Sequence, residues 1–141
     1  MPTRGKPDVL VDTSAAVAFL VTDHPQHVST FGALADRRLG LSGHAAFETF
    51  SVLTRLPSPA RRTPAAVHSL LSTNFPFSRF LGADAAGALL GRLSTDGIAG
   101  GAIYDALVGA AAVEHDLTLA TRDRRAIDVY RTLGVRLEVL R

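Results

Sequence analysis

The stretch VLVDTSA, residues 9–15, places an acidic side chain directly after three aliphatic residues. The aliphatic run is typical of a short buried β-strand, and Asp12 stands where that strand would end. A carboxylate at such a position has two ordinary uses, as the cap of a following helix or as part of a site. Which use applies depends on whether other acids in the chain converge on Asp12.

Composition limits the answer to a small class of proteins. The chain has 141 residues, of which 47% are hydrophobic and 20% charged, so we expect residues 1–141 to form one domain with a real core. There is no cysteine, which excludes disulfides and thiolate zinc sites and favours a reducing compartment. The longest apolar run, residues 98–113, is interrupted by Asp105 and several glycines, and the N-terminus lacks the apolar core of a signal peptide. We therefore expect a soluble, cytoplasmic protein without a membrane partner.

Strand and helix patterns alternate along the chain, with a clear proline-bracketed loop at residues 57–64. Strands separated by helices cannot pair as hairpins, so the pattern predicts a mostly parallel sheet covered by helices on both faces, a three-layer α/β/α domain. The predicted strands are residues 8–12, 39–42, 77–81, 118–121 and 135–140. The predicted helices are residues 14–20, 25–38, 44–56, 65–73, 84–93, 101–115 and 124–133.

Two acids follow predicted strands in the same relation. Asp12 follows the first strand, and Asp123 comes just past the strand in TLATRD, residues 118–123. Ligands of such sheets bind beyond the carboxyl ends of the strands, so both acids are predicted at one rim. Each also has a purely structural interpretation: Asp12 as a helix cap, and Asp123 as a cap with ion pairs to the neighbouring arginines.

Two further acids lie on apolar helices. Asp105 is the only charged residue between residues 98 and 113, so we expect it to be buried and to need a cation, a partner or a raised pKa. Glu48 has apolar neighbours, although Arg55 two turns along leaves open that it is an ordinary solvated acid. A divalent cation is the simplest way to hold four such acids together, and protonation is the alternative. An all-oxygen set suits Mg²⁺ or Mn²⁺, whereas the histidines show no zinc-binding spacing.

These residues carry a family resemblance. VLVDTSA, then Glu48 in a mid-chain helix, then YDALVGAAAVEHDLTLATRD at residues 104–123 together resemble the PIN-domain ribonucleases, in particular the VapC toxins of bacterial toxin–antitoxin pairs. The resemblance implies a PIN-like nuclease fold and an Mg²⁺- or Mn²⁺-dependent endoribonuclease that cuts cellular RNA. It implies that Asp12, Asp105 and Asp123 are metal ligands and that Glu48 completes the catalytic set by positioning water or acting as base.

The resemblance also implies contacts and partners. A hydroxyl of Thr13 or Ser14 would serve the metal site or the phosphate, and Arg122 and Arg124 are candidates for the RNA backbone. The expected partners are the RNA substrate, a cognate VapB-type antitoxin and a second copy of the chain, giving a homodimer or, with antitoxin, a heterotetramer or larger assembly. The alternative is a catalytically weak module that binds RNA or antitoxin and carries a vestigial acidic site.

This chain departs from the family pattern at two positions. Asp116 stands where many relatives have glycine, and we predict that it takes the left-handed conformation of that turn. Arg125 stands where some relatives carry a further acid, which weakens the case for a second metal ion.

Two other protein classes compete with this interpretation, but each requires a residue that this chain lacks. A haloacid-dehalogenase-type phosphatase would need an aspartate at Ser14, and a response-regulator receiver would need a late lysine, whereas Lys6 is the only lysine.

Overall fold

The fold is that of a computed structural model, which describes residues 5–141. The N-terminal segment used to argue against a signal peptide therefore lies partly outside the described residues. The strands are β1 (Val9–Val11), β2 (Leu39–Leu41), β3 (Leu119–Thr121) and β4 (Leu137–Val139). The helices are α1 (Thr13–Leu20), α2 (His27–Leu34), α3 (Ala45–Thr54), α4 (Pro64–Asn74), α5 (Ala83–Asp96), α6 (Ala102–Glu114) and α7 (Ile127–Thr132), with a 3-10 turn at Arg124–Ala126.

The four strands form one parallel sheet in the order β2-β1-β3-β4. Every residue of β1, β2 and β3 is buried, as expected for strands covered on both faces. Side chains alternate between the faces: Leu10 and Leu119 pack with α5, α6 and α7, whereas Val9, Val11 and Ala120 pack with α1 and α2. The predicted three-layer arrangement with a parallel sheet is thus confirmed.

The connections change direction between β1 and β3. The helix after β1, α1, packs on one face of the sheet, and the helix after β3, α7, packs on the other. The chain therefore leaves a crevice at the carboxyl ends of these two neighbouring strands, which is where open α/β sheets bind ligands. Asp12 and Asp123 follow these two strands.

The predicted strand at residues 77–81 is wrong as a full strand, because it makes a single bridge, between Ser42 and Arg79. The Phe77 N–H donates to the Leu39 carbonyl at 3.1 Å, and the Arg79 N–H to the Leu41 carbonyl at 3.1 Å. The Leu41 N–H, however, donates to the Ser78 hydroxyl at 2.9 Å instead of a main-chain carbonyl. This side-chain acceptor interrupts the ladder.

Other differences lie at the ends of elements. The second helix begins at His27 rather than residue 25, and α5 extends to Asp96, where Gly97 ends it with φ +67°. The predicted helix at residues 124–133 begins with the 3-10 turn. Asp116 has φ +55°, so its predicted left-handed conformation is confirmed. Across residues 5–141, each helix is too short or too polar to pass through a lipid bilayer.

Candidate active site

Asp12 lies at the centre of a hydrogen-bond network at the end of β1. Its side chain is 3% exposed, and Oδ1 caps α1 by accepting from the Ala15 N–H at 3.0 Å. The Ser14 hydroxyl donates to the same oxygen at 2.6 Å. The Thr121 hydroxyl at 2.5 Å and the Tyr130 hydroxyl at 3.0 Å donate to Oδ2. These four donors fix the orientation of the carboxylate.

The four predicted acids line one small cavity, which we call the acidic pocket. Its volume is about 50 Å³, enough for a small cation or a few waters. The structure brings together every acid of the predicted catalytic set, and adds Thr13 and Ser14 from α1. The lining residues are Asp12, Thr13, Ser14, Glu48, Asp105, Val108, Asp123 and Tyr130.

Asp105 lies in the first turn of α6 and experiences the field of the other three acids. Its pKa is raised to about 6, chiefly by burial and then by the charges of Asp123, Glu48 and Asp12, with Arg125 acting in the opposite direction. Asp105 is only half-buried, which corrects the expectation of a fully buried carboxylate. The raised pKa of Asp105 thus comes first from burial and second from the nearby negative charges, which Arg125 offsets only in part.

Burial also raises the pKa of Asp12, while the donors from Ser14, Thr121, Ala15 and Tyr130 act against that rise. The pKa of the Tyr130 hydroxyl is raised as well, by burial and by the neighbouring Asp12 charge. The Tyr130 hydroxyl is therefore the donor in its bond to Asp12.

Glu48 and Asp123 have looser surroundings. The Thr13 hydroxyl lies 3.5 Å from Glu48 Oε2, and His44 Nε2 lies 3.6 Å from Glu48 Oε1, whereas Arg55 makes no ion pair with Glu48 among the described residues. Asp123 Oδ1 accepts from the Arg125 N–H at 3.0 Å and lies 3.4 Å from Arg125 Nε. Asp123 is thus both the cap that the sequence allowed and a wall of the acidic pocket.

The predicted substrate-binding residues lie next to the acidic pocket. The Ser14 hydroxyl, besides donating to Asp12, accepts from the Arg122 N–H at 2.9 Å, which joins α1 to the end of β3. Thr13, Ser14, Arg122 and Arg124 also line a larger adjoining cavity of about 630 Å³. All four therefore border the same edge of the sheet.

Two residues of the network were missed by the sequence analysis. Thr121 precedes Asp123 by two residues, and its hydroxyl both donates to Asp12 and accepts from the Asp123 N–H at 3.0 Å. Tyr130 is 1% exposed on α7. A tyrosine on a helix predicted to pack against the sheet needs a partner for its hydroxyl, which was the available signal.

The donor set suits a hard divalent cation, because the acidic pocket offers carboxylate and hydroxyl oxygens and no sulfur or imidazole nitrogen. After burial, the charges of Asp123, Glu48 and Asp12 are the next causes of the raised pKa of Asp105, and a bound cation would offset those charges. Within residues 5–141, no three such acidic or histidine side chains are already placed as a finished metal site. The residues therefore match a divalent cation in their chemistry. The acids line one cavity, but their oxygen atoms are not yet close enough together to coordinate one ion.

Comparisons with known proteins agree on one family. The model of the PIN domain family matches residues 9–132. Ribonuclease VapC27 of Mycobacterium tuberculosis is 44% identical over 95% of this chain and 98% of its own length. Ribonuclease VapC40 of the same species is 44% identical over 92% of this chain and 96% of its own.

A solved structure gives the same fold. The crystal structure of VapBC2 from Rickettsia felis, bound to a DNA fragment from their promoter, contains a chain that superimposes with a TM-score of 0.67. The match covers 94% of this chain and 98% of that one, at 15% sequence identity. At that identity the likeness concerns the fold alone.

Proposed function

Because the chain belongs to the PIN domain family, we propose that it is a metal-dependent endoribonuclease that acts as the toxin of a VapBC-type toxin–antitoxin pair. It would hydrolyse phosphodiester bonds in cellular RNA, whether tRNA, ribosomal RNA or message, and so inhibit translation and growth. Residues 1–141 would form a single nuclease domain. The observation that carries the proposal is the acidic pocket, where four carboxylates from distant parts of the chain line one cavity at the carboxyl edge of the sheet.

The cofactor in this proposal is Mg²⁺ or Mn²⁺, bound by Asp12, Asp105 and Asp123. When bound, the ion would lower the pKa of a coordinated water and offset the charge that develops on the phosphate. Glu48 would orient that water or accept its proton. The network from Thr121 and Tyr130 keeps Asp12 in one orientation, so little reorganisation accompanies the reaction.

The substrate contacts in the proposal come from the rim of the acidic pocket. Thr13, which lines the acidic pocket, would contact a phosphate oxygen. Ser14 would act by holding Asp12 and the Arg122 main chain, to which its hydroxyl is bonded. Arg122 and Arg124 would bind the RNA backbone. A VapB-type antitoxin is the expected protein partner, with a homodimer of this chain at the centre of a heterotetramer or larger assembly.

Asp105→Asn tests the nuclease. The substitution keeps the shape of the side chain but removes a charge from the acidic pocket, and we expect cleavage of a labelled, structured RNA pool in Mg²⁺ to fall by about a hundredfold or more. Chelation with EDTA should have the same effect on the unsubstituted chain. Gel analysis of the labelled products measures both.

The matched control is Asp128→Asn, an exposed acid on α7 outside the acidic pocket, which should cleave at the unsubstituted rate. Cleavage by Asp105→Asn at that same rate would refute the assigned site. RNA that is retained without cut products in Mn²⁺ would instead favour the binding module with a vestigial site.

A further inference from the structure

A basic groove begins where the acidic pocket ends. Thr13 and Ser14 line both the acidic pocket and the adjoining cavity of about 630 Å³, whose other polar walls include Arg122, Arg124 and Arg141. A neighbouring depression of about 530 Å³ shares Arg124 and Arg141 and adds Arg131 from α7. We call the surface formed by Arg122, Arg124, Arg131 and Arg141 the arginine groove.

The four arginines of this groove lack acidic partners. In the described part of the chain, the arginines that form salt bridges with aspartate or glutamate are others: Arg37, Arg38, Arg92, Arg125 and Arg136. Even Asp123, which lies between Arg122 and Arg124 in the sequence, pairs with Arg125. Within residues 5–141, the groove therefore gathers four guanidinium groups that pair with no aspartate or glutamate side chain, which favours an anionic ligand.

The groove is also organised by its own contacts. Arg122 donates to the Gln26 side-chain carbonyl at 2.7 Å and to the Arg141 main-chain oxygen at 2.9 Å. The main chain of Gln26 is held in turn, because its N–H donates to His24 Nδ1 at 3.0 Å. A guanidinium has five N–H donors, so these two bonds orient Arg122 and leave donors for a ligand. The loop before α2 thus positions the Arg122 side chain, and the Arg122 N–H is bonded to Ser14 of the acidic pocket.

The arrangement of charge indicates what the ligand is. A metal ion bound in the acidic pocket would bind one phosphate, that of the cleaved bond. The next phosphates of a polynucleotide that passes Thr13 and Ser14 would lie against the guanidinium groups of the arginine groove. We infer that the arginine groove binds successive backbone phosphates of single-stranded RNA on one side of the cleaved bond. This inference rests on the proposed function for the location of the cleaved bond, and it assigns Arg131 and Arg141 to substrate binding.

The test measures RNA binding rather than cleavage. In an Asp105→Asn background, the double variant Arg131→Gln/Arg141→Gln should bind a short fluorescent single-stranded RNA at least about tenfold more weakly at low salt. The slope of log affinity against log salt should fall by about 1.4, since each phosphate contact contributes about 0.7. Neither arginine lines the acidic pocket, so the effect reports the groove alone.

The matched control removes the same charge elsewhere. Arg38 and Arg136 precede β2 and β4 and therefore lie at the opposite edge of the sheet. Arg38→Gln/Arg136→Gln should leave both the affinity and the salt slope unchanged. Thermal unfolding of both double variants checks that each is folded.

The outcomes separate this inference from the proposed function. An unchanged salt slope in Arg131→Gln/Arg141→Gln would overturn the inference even if the unsubstituted chain cleaves RNA, and so would a parent chain that does not bind the RNA. If RNA binding is intact but an acidic peptide binds the double variant more weakly than the parent, the groove serves a protein and the inference is wrong. Loss of cleavage in Asp105→Asn with the predicted salt slopes supports both.

Discussion

At the scale of single residues, Asp12 serves as a helix cap and as a wall of the acidic pocket. The structure confirms the capping interpretation of VLVDTSA, and the role of Asp12 in a metal site stays a prediction. The two uses are compatible in geometry, because the capping bond from the Ala15 N–H is made to Oδ1, whereas Thr121 and Tyr130 donate to Oδ2. A strand end directly followed by a helix start places one side chain in both positions. The acid and its cap function cannot be altered independently.

Tyr130→Phe should lower stability, because the buried Asp12 carboxylate loses one of its four donors. We expect the free energy of unfolding to fall by about 1.5–3 kcal/mol, as for other hydrogen bonds to charged groups. Urea denaturation with unchanged m-values measures it. The matched control is Tyr104→Phe on α6, whose ring is 54% exposed and whose hydroxyl has no structural role in the network. Equal effects of the two substitutions would contradict the importance of the Tyr130 bond.

Local sequence identified the acids but not the hydroxyls that hold them. Asp12 and Asp123 were predictable because each follows an apolar strand, and Asp105 because an isolated charge on an apolar helix is conspicuous. The bond between Tyr130 and Asp12 joins residues 118 positions apart, and it exists because α7 packs on the same face as α6. No periodicity in the sequence specifies that distance.

At the scale of elements, the edge of the sheet beside β2 depends on a glycine. A Cβ added at Gly40 would lie 2.2 Å from the Phe77 carbonyl oxygen and 2.7 Å from the Ser78 nitrogen. Both atoms are main chain and cannot move aside alone. The strand predicted at residues 77–81 is reduced to the one bridge at Arg79, and the Ser78 hydroxyl in the ladder could not be anticipated from residue type.

Gly40→Ala should therefore destabilise the protein by about 2–3 kcal/mol, because the methyl group displaces the main chain of residues 77–78. The control is Gly87→Ala in the interior of α5, where an added Cβ meets nothing within 4 Å. That substitution should stabilise by about 0.5–1 kcal/mol through helix propensity. Chemical denaturation of the pair should give opposite signs, and a destabilised Gly87→Ala or a neutral Gly40→Ala would count against this account.

At the scale of the whole molecule, opposite charges are concentrated side by side at one edge of the sheet. The acidic pocket and the arginine groove meet at Thr13 and Ser14. The sequence predicted the class of fold and this edge as the location of the site, because both follow from alternating strands and helices. The groove was only partly predictable, since Arg131 and Arg141 come from elements whose relative placement the tertiary fold decides.

Burial of Asp105, together with its crowding by the other acids, makes stability depend on pH. The folded-state pKa of Asp105, about 6, exceeds the usual value of about 3.9 for an unfolded chain, so the folded state binds more protons between these values. Stability therefore decreases as pH rises through that window, and the penalty is complete above it. Without metal, Asp105→Asn should be more stable than the unsubstituted chain at about pH 7.5, by about 1 kcal/mol after allowance for solvent screening.

This gain should shrink as the pH is lowered from about 7.5 to about 4, and it should vanish only below about pH 3, where Asp105 is protonated in both states. Thermal unfolding in EDTA across this range measures it, with Asp128→Asn as the control that should show no such trend. A gain that grows toward acid pH would mean that Asp105 is stabilised as a charged group, contrary to the pocket described above.

The hydrogen-bond network around Asp12 determines which residue should be substituted to make a catalytically inactive variant. A biochemist who replaces Asp12 removes the start of α1 and leaves the hydroxyls of Thr121 and Tyr130 without their acceptor. If such a variant failed to cleave RNA, the loss could come either from a disturbed fold or from the missing carboxylate. Within residues 5–141, the Asp105 side chain caps no helix and makes no hydrogen bond that holds the fold. Substitution of Asp105 is therefore the better choice for trapping an intact substrate on the protein.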